Sequence, residues 1–143
     1  MNQYLSPFCE IFGDIIKRYG FNVTACDNDT IIMVGRGYQL VFVIWREAVE
    51  ISYCVIKNDT EVVTYNVRDF IITYMTDADR TISEITFTAD QNEVYKRNIY
   101  SINHFANALK NHFPTMLEGR MDWLELFEKS EWYREPRVEN RKA

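Results

Sequence analysis

Between Phe8 and Tyr19 the apolar positions recur three and four residues apart, and Phe8, Ile11, Phe12, Ile15, Ile16 and Tyr19 fall on one stripe. Ser6 followed by Pro7 supplies a hydroxyl N-cap and then a residue whose fixed φ suits the first helical turn. Gly20 suits the left-handed position at a helix C-terminus. The spacing predicts a helix from Pro7 to Tyr19.

After Gly20 the period changes from helical to alternating. Phe21 to Cys26 and Thr30 to Val34 are β-rich, and the Asp27-Asn28-Asp29 turn separates them. Gly35-Arg36-Gly37 divides the second run from Tyr38–Trp45, which is apolar at both alternate sets of positions and so predicts a central, covered strand. Arg46-Glu47 marks the next reversal. Val49, Ile51, Tyr53 and Val55 then alternate with Glu50, Ser52 and Cys54, Asn58-Asp59 turns again, and Glu61 to Tyr65 is a short strand. Turns this close join antiparallel neighbours.

The helical period returns in the second half. Asn66 is placed to cap a short helix from Val67 to Met75, with Phe70, Ile71 and Tyr74 on one face. Thr76-Asp77-Ala78-Asp79-Arg80 is a polar loop, and Thr81 to Phe87 suits either an edge strand or part of a helix. Thr88-Ala89-Asp90-Gln91 has capping-box form. The helix expected after it buries Ile102, Phe105, Ala106, Leu109 and Phe113, and Pro114 ends it. Asp122 with Glu125 predicts one more cap, ahead of Trp123, Leu124 and Phe127. From Glu128 onward the chain is mostly charged.

These elements predict an α+β fold: an N-terminal helix, a four- to five-stranded antiparallel meander, and C-terminal helices packed mainly on one sheet face. Residues 1–130 form a single domain, and 131–143 form a charged tail expected to fray. Phe12, Ile16, Leu40, Phe42, Ile51, Phe105 and Leu109 are the expected core.

Composition narrows the function. The chain has 143 residues and a formal charge of −5, which argues against a nucleic-acid binder, because phosphate contacts need a basic face. No apolar run is long enough for a bilayer, the longest being Leu40 to Trp45. The N-terminus lacks the basic and apolar regions of a signal peptide. Cys9, Cys26 and Cys54 form no CxxC pair, and buried free thiols in a reducing, cytoplasmic compartment are expected. Aromatic residues reach 15%, enough to supply interface anchors as well as a core.

No catalytic, metal or cofactor motif interrupts the scaffold. His104 and His112 stand eight residues apart, about 12 Å along a helix axis, too far to share one metal ion, and both are expected to face solvent. The acidic pairs around Asn28 and Ala78 do not continue into a calcium loop. Neither a phosphate loop nor a GxSxG elbow occurs. The chain is therefore expected not to be an enzyme. The competing class is a small hydrolase or transferase that brings Cys54, His104 and a carboxylate together by folding.

Acidic residues concentrate instead in turns and on polar strand faces: Asp27, Asp29, Glu47, Glu50, Asp59, Glu61, Asp77, Asp79 and Glu84. On one face they would make a negative patch that speeds encounter with a basic partner. Asp27, Asp29, Asp77, Asp79 and Glu84 are the candidate partner-binding residues, chosen because loops and edges are accessible.

The layout resembles that of bacterial immunity proteins, which neutralise toxin domains of polymorphic and contact-dependent toxin systems. The features that carry the resemblance are the opening helix with Gly20-Phe21, the meander bearing Trp45-Arg46-Glu47, the step Tyr65-Asn66-Val67-Arg68-Asp69-Phe70, and the tail from Ala108-Leu109-Lys110 through Phe113-Pro114 and Leu117-Glu118-Gly119 to Trp123. The resemblance implies a cytoplasmic protein without catalysis or cofactor that binds one cognate toxin domain, often a nuclease, through acidic residues. The alternative is a small structural or regulatory homodimeric binding protein. Oligomeric state is left open.

Overall fold

A computed structural model describes residues 2–46, 48–58, 60–81 and 86–140. The N-terminal stripe forms two helical segments, α1 (Leu5–Ile11) and α2 (Gly13–Tyr19), that share the junction residue Phe12. Gly13 is the physical reason for the break, because glycine is the poorest helix former after proline. Gly20 closes α2 in the left-handed conformation with φ 71°. The helix starts earlier than expected: Tyr4 occupies the N-cap, and the Ser6 hydroxyl makes no cap hydrogen bond.

Among the described residues six strands follow the chain as an antiparallel meander with sheet order β1-β2-β3-β4-β5-β6. They are β1 (Asn22–Ala25), β2 (Thr30–Val34), β3 (Tyr38–Ile44), β4 (Val49–Ile56), β5 (Glu61–Asn66) and β6 (Arg137–Asn140). The sixth strand corrects the expected frayed tail. Residues 137–140 pair with β5 through Glu61↔Asn140 and Val63↔Val138, and all four are exposed. Their charged side chains hide a backbone that pairs whatever its composition, since the ladder uses only N–H and C=O groups.

Helix α3 (Arg68–Tyr74) begins after Val67, and Asn66 belongs to β5 opposite Ser52 rather than to a cap. The long helix α4 (Glu93–His112) is capped by Asn92, whose side chain accepts the Tyr95 N–H at 2.8 Å. Part of the expected capping box is present, since Gln91 Oε1 accepts the Thr88 N–H at 2.8 Å, but the helix starts a few residues later. Pro114 both ends α4 and opens the short α5 (Pro114–Leu117). In α6 (Leu124–Lys129) Trp123 takes the N-cap, and Asp122 is drawn away to Arg120 at 2.7 Å. The expected alternatives for Thr81–Phe87 fall largely outside the described residues.

One sheet face carries the core. Ile31, Met33, Leu40, Phe42, Ile51 and Tyr53 point to it, and α1, α3, α4 and α6 cover it. Phe8 and Phe12 pack edge-on against Phe42 with centroids 5.0 and 5.3 Å away, while Trp123 meets Tyr53 at 5.0 Å. Of the expected core residues, Ile16 is only partly buried and Ile15 is buried in its place. The opposite face bears Ile32, Val34, Val41 and Val43 with Thr24, Gln39, Ser52 and Thr64, and these lie outside the core. Strand β3 is central as expected, but only one of its faces is fully buried.

Tyr38 locks the lower end of the sheet to the C-terminal helices. Its hydroxyl donates to the Leu117 carbonyl at 2.6 Å. Its ring fills the space that a Cβ would need at Gly35 and at Gly119, each within 2.4 Å of a ring carbon. Gly119 also has φ +81°, so two independent constraints require glycine there.

Phe12 is fully buried, so Phe12→Ala should destabilise the chain by about 3–5 kcal/mol in urea unfolding, with little change in the slope. A loss below about 1 kcal/mol would place Phe12 outside the core.

Candidate protein-binding site

The turn between β3 and β4 is held from several directions. The Trp45 N–H donates to the Ala48 carbonyl at 2.9 Å, closing the turn. Asn98, buried on α4, donates through Nδ2 to the Trp45 carbonyl at 3.0 Å and to the Tyr4 hydroxyl at 3.1 Å. The preceding residue of α4, Arg97, donates to the Arg46 carbonyl. The β1–β2 turn is tied to the same place, because the Ile44 N–H donates to the Asp29 carbonyl at 2.7 Å.

The β1–β2 turn is itself built by Asp27. Its Oδ1 accepts the N–H groups of Asp29 and Thr30, each at 2.8 Å, as an Asx turn requires. The Asp29 and Thr30 hydrogen bonds hold its carboxyl below the usual carboxylate range. Asn2 adds a hydrogen bond to the Asp27 carbonyl at 3.0 Å.

With its backbone fixed, the Trp45 side chain is left 54% exposed. It borders a cleft of about 490 Å³ whose lining includes Asp29, Arg46, Asn92 and Asn98. An exposed indole on a held backbone beside a polar cleft has the form of an interface anchor with a charged rim. Trp45 was not among the candidate site residues. Its signal in the sequence is an aromatic at the end of an apolar strand followed directly by Arg46, and only the fold shows that it turns outward.

Among the described residues the acidic candidates do not gather into one patch. Asp27 and Asp29 are exposed at the Trp45 end of the molecule. Asp77 is exposed in the loop after α3, and Asp79 beside it is fully buried, which corrects the expectation that it is accessible. Asn98, which holds the Trp45 turn, and Asn111, which holds Asp79, are about 20 Å apart along α4. Glu47, Asp59 and Glu84 lie outside the described residues.

Asp79 is a structural hub. Its Oδ2 accepts the Thr76 N–H at 2.8 Å and lies 2.7 Å from His112 Nε2, while Asn111 Nδ2 donates to Oδ1 at 2.7 Å. Asn107 donates to its carbonyl at 2.9 Å, and Asn103 donates to the Thr81 carbonyl at 3.1 Å. Burial pushes the Asp79 carboxyl up, but the hydrogen bonds from Thr76, Asn111 and His112 outweigh it and hold the group down at about 2. His112 thus serves the loop and does not simply face solvent.

The competing catalytic set is not assembled. Cys54 sits on the outer sheet face, its register partners being Gln39 and Thr64, with Sγ 3.5 Å from Thr64 Oγ1. His104 is on α4, which covers the other face. Cys26 is exposed rather than buried, because it immediately follows the edge strand β1. Among the described residues no group of three or more His, Cys, Asp or Glu could hold a metal ion, and no helix is long and apolar enough to cross a membrane. Compared with known proteins, the chain matches no family model, no curated protein and no solved structure.

Asp79→Ala leaves the Thr76 and Asn111 donors unpaired and should cost about 2–3 kcal/mol at neutral pH. The Asp79 carboxyl titrates lower in the folded chain than the ordinary value of about 3.9, so its contribution is full above about pH 4 and is lost as pH falls toward 2. Denaturation of both chains across that range should show the gap closing with acid. A constant gap would assign the loss to packing alone.

Proposed function

We propose that this chain works by binding a protein partner, as an immunity protein binds and neutralises a cognate toxin domain, and not by catalysis. The observation that carries the reading is Trp45, 54% exposed on a backbone held by Asn98 and Arg97 beside the cleft that Asp29 lines. A pre-positioned aromatic anchor limits the ordering that binding requires, and Asp27 and Asp29 next to it suit a basic partner surface. The resemblance in layout to immunity proteins supplies the partner class, a toxin domain in the cytoplasm such as a nuclease. The acidic part of the interface is then Asp27 and Asp29, with Asp79 reserved for the fold.

A second reading rests on the outer sheet face, where Ile32, Val34, Val41 and Val43 are neighbours across β2 and β3. Such a face suits a homodimer with a structural or regulatory role. A dimer that survives dilution to micromolar concentration, and that Val41→Lys disrupts, would favour it.

The test is co-expression with the C-terminal domain of a secreted protein encoded in the adjacent reading frame. Restored growth and a purifiable complex are expected, and failure of both overturns the proposal. Trp45→Ala should weaken that complex by at least about 2 kcal/mol, the scale of an interface hot spot, without changing thermal stability. Asp29→Lys should slow association more at low salt than at high salt. A complex indifferent to both changes would place the interface on another surface.

A further inference from the structure

Arg97, which holds the Arg46 carbonyl, also lines a second, smaller cavity of about 170 Å³. The cavity lies between the start of β4, α3 and the middle of α4. Three arginines and a histidine converge on it from three segments: Arg68 opens α3, Arg80 follows it in the loop, and Arg97 and His104 come from α4. Arg97, Ser101 and His104 recur four and three residues apart, so they share one face of the helix. Ile72, Met75 and Phe105 supply apolar wall.

The cationic charge is only partly answered by the described residues. Arg68 meets Asp69 through one terminal nitrogen at 3.0 Å, but its Nε is buried without a hydrogen-bond partner. His104 Nε2 is also buried without one. Arg80 approaches the exposed Asp77 no closer than 3.9 Å, a distance at which a surface pair contributes little. Buried polar atoms left unpaired are rare, and two on residues that line one basic cavity mark polar groups that their surroundings do not satisfy. Burial and then the charge of Arg80 hold His104 below its ordinary pKa, as expected of an imidazole beside a cation.

We infer that this cavity binds the oxyanion of a small organic acid, a carboxylate or a phosphate monoester, with the arginines and His104 on its charged head and Ile72, Met75 and Phe105 beside its apolar stem. Guanidinium groups match such heads because their N–H pairs fit two oxygens at once. The head can come from a free small molecule or from an acidic side chain of a protein. The site stands independently of the toxin-binding reading, because it is defined on the chain alone.

The test is an NMR titration of the purified full chain, following the His104 ring signal, assigned with His104→Gln. Four probes are added in turn: inorganic phosphate, phenyl phosphate, benzoate and a glutamate blocked at both ends. A saturable shift is expected with phenyl phosphate or benzoate, tighter than with inorganic phosphate, together with a raised His104 pKa in the bound state. Saturation by blocked glutamate at comparable concentration assigns the head to a protein side chain, and saturation by the aromatic acids alone assigns it to a small molecule. Arg80→Gln and Arg97→Gln, both at exposed positions, should each weaken binding at least about tenfold, the effect of removing one charge-assisted hydrogen bond. Arg36→Gln, in the β2–β3 turn, should leave it unchanged. Linear, non-saturating shifts with every probe, or equal losses in the Arg36 and Arg97 variants, would reduce the cavity to a general counter-ion effect and overturn the proposal.

Discussion

The seating of α4 is the constraint on which the rest of the molecule depends. This helix spans 20 residues, about 30 Å, and buries Ile99, Ile102, Phe105, Ala106, Ala108 and Leu109 toward the sheet and its neighbouring helices. A meander of this kind has one face to cover, and α4 covers its centre while α1 and α3 pack along its sides. The same helix then organises the loops through asparagines. Asn98 holds the Trp45 turn and the Tyr4 hydroxyl, while Asn103, Asn107 and Asn111, four residues apart, hold the Thr76–Thr81 loop. Apolar burial places the helix, and the amide row decides which loops lie where.

That arrangement separates the loop that the fold consumes from the site proposed for recognition along α4. Near its C-terminal half the loop carboxylate of Asp79 is consumed by internal hydrogen bonds and becomes part of the fold. Near its N-terminal half the amide of Asn98 bonds only backbone and the Tyr4 hydroxyl, so the side chains of Trp45, Arg46 and Asp29 remain outside, facing a cleft. Arg97 stands between that cleft and the arginine-lined cavity. The two proposed recognition chemistries, an aromatic anchor with acidic neighbours and an oxyanion pocket, therefore lie side by side along α4. A partner that engaged both would present a basic surface with a single acidic group.

The fold was largely legible in the sequence, and its reasons are local. Val49 to Val55 alternate because one face of β4 is buried, and Gly20 stands where the backbone turns left-handed. The α+β class and antiparallel meander followed from such patterns. What local pattern does not carry depends on long-range pairing. Strand β6 has no apolar pattern, and only its position beside β5 makes it a strand. The cap of α4 fell to Asn92 instead of Thr88, a choice between neighbouring polar residues that propensity alone does not resolve. Asp79 looked like any exposed loop carboxylate, and only the Asn103, Asn107, Asn111 spacing on α4 hinted that a polar loop would be bound there. The basic cavity was hidden by the negative net charge, which averages over the surface and says nothing of where three arginines meet.

The most direct measurement of the central claim is hydrogen–deuterium exchange of the chain, alone and in complex with the toxin domain proposed as its partner. The account predicts new protection in the Asp27–Asp29 turn, in the segment from Trp45 to Ala48 and in the N-terminal half of α4, with β2 and β3 unchanged. Protection concentrated in β2 and β3, with the Trp45 turn exchanging as in the free chain, would contradict it and move recognition to the outer face of the sheet.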